Sequence, residues 1–352
     1  MIKAMVRFSE IIRMNQNKKD KERIPVAEKN VGQEKLRLSD MQIAETGKRE
    51  DVSRPPLVES DNKKIKAFYN DLLERAMDIQ SKVKHNKDLT PSRILQILHR
   101  IIKDDFISRL YDYAIPISKN YGLQSQSISV TLASLKIGKG LGYDTKKLLQ
   151  LGLAAFFENV GMYKIPDATL TKRGKLSSNE LTAIKKHPEI GAQILGRMST
   201  TFKWLTNTTL QIHERLDGSG YPKGLKGEDI SEIASIIGLV DTYMAMTKNR
   251  PYRDKQMEPD AVKSIVGLSK SKFPARVVKA FLNQISIFPV NSYVKLNNES
   301  IGRVVSTSKS QPLRPVIELV YDGRGQKLEK RQIVNLVDSS LLHITSFIDE
   351  RP

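Results

Sequence analysis

Apolar positions recur at helical spacing through most of this chain. From Lys63 onward, KIKAFYNDLLERAMDIQSKV places Ile65, Phe68, Leu72, Leu73 and Met77 three and four residues apart, which is one face of an amphipathic helix. Thr90 and Pro91 predict an N-cap and first-turn pair, with Ile94, Leu95, Ile97, Leu98, Ile101 and Ile102 forming the apolar side of the next helix. The same period returns over about 125–285 and predicts helices at 125–140, 145–158, 178–197, 201–215, 231–247, 259–268 and 273–285, the third opened by a Ser177/Glu180 capping box. After Pro289 the period shortens. SYVKLNN, IGRVVSTS, PVIELVYD, RQIVNLVD and LHITSFID are short runs rich in Val and Ile, and Asp322-Gly323 with Arg324-Gly325 marks a turn between two of them. They predict a small antiparallel β barrel or sheet, too short to bury much surface alone and therefore packed on the helices.

Residues 15–60 show no lasting periodicity and carry charges of both signs, the composition of a flexible segment. Ahead of them, Met5, Phe8, Ile11 and Ile12 share a rough helical face beside Lys3, Arg7 and Arg13. That face suits either a membrane-surface or partner helix or a frayed, solvated start. The expected division is 1–60 flexible N-terminal segment, 61–120 helical module, 121–288 helical domain and 289–352 β-rich C-terminal domain. The 61–120 module is open to three readings: a degenerate sensor, a dimerisation unit that would give a homodimer, or part of the neighbouring core.

Composition narrows the chemistry. The 352 residues hold 58 Lys+Arg against 39 Asp+Glu, a net charge of +19 that favours polyanions without choosing among nucleic acid, anionic lipid and phosphorylated ligands. Cysteine is absent, so disulfides, thiolate metal sites and cysteine nucleophiles are excluded. No run of about 18 apolar residues suggests a membrane span, and no signal-peptide core is present. The expected location is cytoplasmic, with peripheral membrane association left open by the N-terminal face.

His187, His213 and Asp241 each fall on a predicted helix among apolar residues. Two imidazoles and a carboxylate can hold a divalent ion, or can be partners in a buried hydrogen-bond network, and their spacing does not choose. The loop DGSGYPKGLKGED carries Gly218, Gly220, Gly224 and Gly227, a density that points to tight turns or close approach to a ligand. Arg215, Lys223 and Lys226 flank it, and Lys248, Arg250 and Arg253 follow Asp241. Arginine forks and loop amides suit phosphate oxygens, and a solvated basic face has the same composition. Tyr221 and Tyr252 could stack on a base or serve as rim packing. There is no Walker loop, Rossmann fingerprint or serine-hydrolase elbow.

The segments KHPEIGAQIL, HERLDGSGYPKGLKGEDI and VDTYMAMTKNRPYR, in that order, resemble the HD-GYP family of bacterial metal-dependent cyclic di-GMP phosphodiesterases. The resemblance covers about 125–285, and the β-rich tail is similar to an extension of some members. It implies a mainly α fold: an HD-superfamily helical bundle, preceded by the small helical module and followed by the β barrel or sheet. It also implies a centre of two or three iron or manganese ions that activates a water for attack on a phosphodiester, and a loop that shapes the ligand site and contacts partner proteins.

Carried over residue by residue, the implied centre is eroded. A liganding His-Ser pair reads Gln126-Ser127, and the signature His-Asp-x-Gly-Lys reads Glu158-Asn159-Val160-Gly161-Met162. His187 survives before Pro188. A His-His-Glu run reads Ile212-His213-Glu214. Asp241 survives, but the acid expected three places later is Met244. The loop is better kept, with Asp217, Gly218, Ser219, Gly220, Tyr221 and Pro222 in place, as are Arg250, Pro251, Tyr252 and Arg253. The expected function is therefore a catalytically inactive HD-GYP protein in cyclic di-GMP-linked signalling. It would bind cyclic di-GMP or another nucleotide, or contact a protein, through Arg215, Asp217, Gly218, Gly220, Tyr221, Pro222, Lys223, Arg250 and Arg253, without a metal cofactor. The alternative is an active phosphodiesterase with an altered iron or manganese site drawn from Glu158, His187, His213 and Asp241, one ion fitting His187, His213 and Asp241. Nucleic acid is not an expected partner, because the basic charge is spread along the chain and no stacking-rich β face is evident.

Overall fold

The structure, a computed structural model, describes residues 59–118, 122–172, 174–247, 258–269, 271–285, 288, 290, 292–307, 311 and 313–348. The readings placed on Met5, Phe8, Ile11 and Ile12 and on Lys248, Arg250, Pro251, Tyr252 and Arg253 lie outside them.

Helix α1 (Glu59–Lys84) buries Ile65, Phe68 and Leu72 of the predicted face but leaves Leu73 half-buried and Met77 58% exposed; the buried stripe runs on through Ala76, Ile79 and Val83 instead, and the helix ends on Lys82 and Lys84, which suit the negative end of its dipole. In α2 (Ser92–Lys103) the predicted cap is displaced by one residue. Pro91 itself holds the N-cap position, with no side-chain cap, and its carbonyl accepts from Leu95 N at 2.9 Å. Helix α3 (Ile107–Ser118) leads to α4 (Leu123–Gly140), which is buried on almost every side. Two of its buried hydroxyls bond within the helix, Ser129 donating to the Ser125 carbonyl and Thr131 to that of Ser127, at 2.8 and 2.7 Å, while Ser134 Oγ is buried without a hydrogen-bond partner among the described residues.

Helix α5 (Thr145–Phe156) starts at Asp144, whose carboxylate accepts from Lys147 N. A 3₁₀ turn (Val160–Lys164) and the short α6 (Asp167–Leu170) follow. The predicted helix 178–197 is two helices, α7 (Ser178–Lys185) and α8 (His187–Leu195), with Lys186 between them. The Ser177/Glu180 capping box is present at the start of α7. Pro188 explains the break: it has no N–H for a continuing ladder and fits only a first turn. Helices α9 (Lys203–Gln211), α10 (Glu232–Thr247), α11 (Glu258–Ser269) and α12 (Ala275–Gln284) complete the bundle.

Helix α4 lies at the centre, packed against α1, α3, α5, α10 and α12. Leu72 and Leu98 of the N-terminal helices share one continuous core with Leu132, Leu135 and Leu151. Each such fully buried leucine contributes about 1.5–3 kcal/mol of hydrophobic stabilisation.

Strands β1 (Tyr293–Leu296), β2 (Ile301–Ser306), β3 (Val316–Tyr321), β4 (Lys327–Asn335) and β5 (Ile344–Ile348) form an antiparallel sheet in the order β4-β3-β2-β1-β5. Of the two forms expected, the sheet is the one formed: it does not close into a barrel. The predicted turn joins β3 to β4, where Asp322 Oδ1 accepts from Arg324 N and Gln326 N at 2.9 and 2.8 Å. Among the described residues no helix is long and apolar enough to cross a membrane.

Candidate functional site

Three segments bring the sequence-predicted polar residues together in the helical bundle. The first residue of α8 is His187, the turn after α9 holds His213, and the middle of α10 holds Asp241. The expectation of three helical positions thus holds for two. His213 is off the helix because α9 stops at Gln211, and the chain must turn there to enter the glycine-rich loop.

The two imidazoles bond directly, His187 Nε2 to His213 Nε2 at 2.8 Å, with ring centroids 4.6 Å apart. Their protons can be assigned from the partners. His187 Nδ1 lies 2.8 Å from the Ile184 carbonyl, which only accepts, so Nδ1 carries hydrogen. In the neutral ring Nε2 is then bare and accepts from His213 Nε2–H. Both rings are held neutral. Burial pushes His187 down to about 4, and it pushes His213 well below the ordinary range, helped by His187 and by the Arg215 charge. Tyr221 stacks on His213 at 5.0 Å and 5° between planes, so its ring face is spent on the histidine.

Gln126, from α4, donates Nε2 to Asp241 Oδ1 at 2.9 Å in the same buried region. Its own Oε1 is buried without a hydrogen-bond partner among the described residues. Asn159 donates to Glu158 Oε1 at 2.8 Å, and the Glu158 charge, after burial, helps raise the Tyr163 phenol. Ile212 and Met244 are packed into the core.

The loop is built around Glu214. Its carboxylate accepts from Lys223 N at 2.6 Å and Leu225 N at 3.0 Å, which ties the loop to the turn that holds His213. Tyr221 N donates to the His213 carbonyl at 3.2 Å, and the Tyr221–Pro222 bond is cis. Gly220 meets the demand for close approach: a Cβ there would stand 2.3 Å from Glu214 Cα. Gly218 supplies a positive φ of 76° in the turn where Asp217 Oδ1 accepts from Ser219 N.

Arg215 turns inward and does not offer its fork to the loop. Nη1 donates to the Ile212 and Glu214 carbonyls at 3.1 and 2.7 Å, Nη2 to Thr242 Oγ1 at 3.1 Å, and the guanidinium lies over the Phe273 ring. Lys223 and Lys226 are exposed at the rim. Sequence reasoning missed Glu214 and Thr242 as organisers. A carboxylate directly ahead of a glycine-rich loop is the available signal for Glu214, since such a loop leaves amides to be satisfied. Nothing in the local pattern marks Thr242.

These residues do not fit a paired iron or manganese centre. Ile212 has no lone pair, and Met244 offers only a soft thioether to ions that prefer oxygen and nitrogen. Each Nε2 of the histidine pair is engaged by the other, and Asp241 is engaged by Gln126. Among the described residues no three His, Cys, Asp or Glu side chains stand close enough to hold an ion together. The arrangement can hold a neutral hydrogen-bonded imidazole pair under a fixed loop with a basic rim.

Comparison with known proteins places this geometry. Residues 113–277 match the "HD domain" family model, and residues 293–352 match that of the "KOW domain associated with HD domain". A cyclic di-GMP phosphodiesterase of Pseudomonas aeruginosa is 29% identical over 60% of this chain and 50% of its own length. The cyclic di-GMP phosphodiesterase PdeB of Borreliella burgdorferi is 30% identical over 62% of this chain and 58% of its own. A cyclic di-GMP phosphodiesterase of Thermotoga maritima is 34% identical over 42% and 40%. The chain thus spans 40–58% of the length of these relatives. The helical bundle, the surviving His187, His213 and Asp241, the intact glycine-rich loop and these matches give residues 113–277 an HD-superfamily domain architecture of HD-GYP-like type.

Proposed function

We propose that this chain acts in cyclic-dinucleotide-linked regulation as a ligand-reading and protein-contacting module that has lost the two-metal hydrolysis of its relatives. The observation that carries the reading is the Gln126–Asp241 bond. The amide standing at a family ligand position is neutral and donates a proton to the surviving carboxylate, where a metal ligand would present a lone pair. Changes even outside the direct ligands of a metal commonly cost about 10–100-fold, and here Gln126, Asn159, Ile212 and Met244 alter direct ligand positions. The loop, in contrast, keeps its internal bonds, and its rim lysines, Lys223 and Lys226, are free to meet phosphate.

Calorimetry with cyclic di-GMP tests the binding half. Saturable heat at micromolar ligand is expected, and no heat at tens of micromolar refutes it. Product chromatography after incubation with iron or manganese under reducing conditions tests the other half, with intact dinucleotide as the expected result.

A second reading is an active phosphodiesterase with a reorganised metal set. It is favoured by the activity of the relatives and by four buried donor residues, His187, His213 and Asp241, which survive, and Glu158, which stands in place of a histidine. Linear dinucleotide or mononucleotide product, together with stoichiometric metal by elemental analysis, would establish it in place of the first.

A further inference from the structure

We propose that the cleft between the end of α1 and the outer face of α8 is a binding site for a small phosphate-bearing anion, separate from the histidine pair. The cleft is a cavity of about 190 Å³. Lys87, Lys164 and Arg197 line it, with Asp88 as the opposing charge. Among the described residues none of the three cations is in an ion pair. Lys164 is instead oriented by a neutral partner, donating to Asn86 Oδ1 at 2.7 Å. Asn86 sits in the left-handed region at φ 56°, directly beyond the helix end, and so turns its amide back to the lysine. Arg197 follows the last turn of α8, where a fork can take two phosphate oxygens at once.

Size and lining set the ligand class. The cavity is smaller than the pockets of drug-sized ligands, which run to about 300–1,000 Å³. That size suits a pyrophosphate or a phosphate ester with a short carbon stub. Val83, Ile190 and Ile194 give the stub an apolar wall. Three cations against one carboxylate match a dianion or trianion.

The position of the cleft gives such binding a consequence. Lys164 ends the 3₁₀ turn that begins just after Glu158 and Asn159, while Ile190, Ile194 and Arg197 lie on or directly after the helix that His187 starts. Turn and helix are in backbone contact, since a Cβ on Gly161 would stand 2.0 Å from the His187 carbonyl oxygen. An anion held by Lys164 and Arg197 therefore clamps two segments that form the HD site.

The test is calorimetry of the full chain with inorganic pyrophosphate and with glycerol phosphate as probes, at physiological salt. One saturable site is expected. Lys164→Gln and Arg197→Gln should each weaken it by about tenfold, while Lys279→Gln, an exposed control on α12, leaves it unchanged. Unchanged thermal midpoints would show that the variants are folded. Absence of saturable binding, or equal weakening by all three substitutions, would overturn the proposal. The second outcome would mean diffuse attraction to a chain of net charge +19. Because the probes contain no cyclic dinucleotide, the result stands apart from the function proposed above.

Discussion

Acidification should destabilise this protein through its buried histidine pair, by an amount that follows from the structure. An imidazole in the unfolded chain titrates near about 6.5, whereas burial holds His187 at about 4 and His213 well below its ordinary value. Between those limits the unfolded state binds protons that the folded state refuses, so stability is full above about 6.5 and falls as pH drops toward about 4. At about pH 5.5 the proton that His187 refuses costs about 1 kcal/mol relative to neutrality, and His213 shifts stability in the same direction. Against a typical folding free energy of about 5–15 kcal/mol that loss is measurable. The assay is guanidinium unfolding in chelator at a series of pH values, for the native chain and for His187→Gln/His213→Gln. The native chain should take up more protons on unfolding than the variant across this window. Equal pH slopes for the two would refute the assignment of neutral, mutually bonded rings.

Other perturbations probe the same architecture. Gly161→Ala would drive a methyl group to 2.0 Å from the His187 carbonyl oxygen and should cost about 3 kcal/mol or more, read as a lower thermal midpoint with displaced His187 ring resonances. Glu214→Gln keeps an oxygen for only one of the two loop amides and sets an NH2 donor against the other; it should cost about 1–3 kcal/mol, with faster proteolysis inside residues 217–227 and little change elsewhere. Gln126→Leu leaves the Asp241 carboxylate without its amide donor while also removing a buried oxygen that has no bond. A net loss of about 1–2 kcal/mol in chemical denaturation is expected, and a gain in stability would show that the amide is no partner of that carboxylate. Ser177→Ala removes half of the capping box on α7 and should cost about 1 kcal/mol.

Much of the fold was legible because helical stripes and alternating strands are local records of burial. The capping box at Ser177 and Glu180 and the turn at Asp322 are legible from residue types alone, and the α1 face in part: Ile65, Phe68 and Leu72 are buried, but Met77 is exposed. Helix α4 is the counter-example. It packs on several neighbours at once, so Ser125, Gln126, Ser129, Thr131 and Ser134 are buried where periodicity would place a solvent side. The split at Lys186 carried a signal in Pro188 that the surrounding apolar run obscured. At the site, the loss of ligand types was plain from the letters Gln126, Ile212 and Met244. What replaced them was not, because the bond from Gln126 to Asp241 spans 115 positions. The inward turn of Arg215 was hidden for the same reason: its acceptors include Thr242, 27 residues away.

The two amides that Glu214 receives have a mechanical corollary. A glycine-rich loop is ordinarily free to swing as a flap, but here Lys223 and Leu225 are tethered to the residue beside His213, and Tyr221 rests on that ring. Loop and imidazole pair therefore move as one lever. Whatever pulls on the rim must tug the histidines, and a change of tautomer between them would be transmitted outward to the surface that a neighbour can sense.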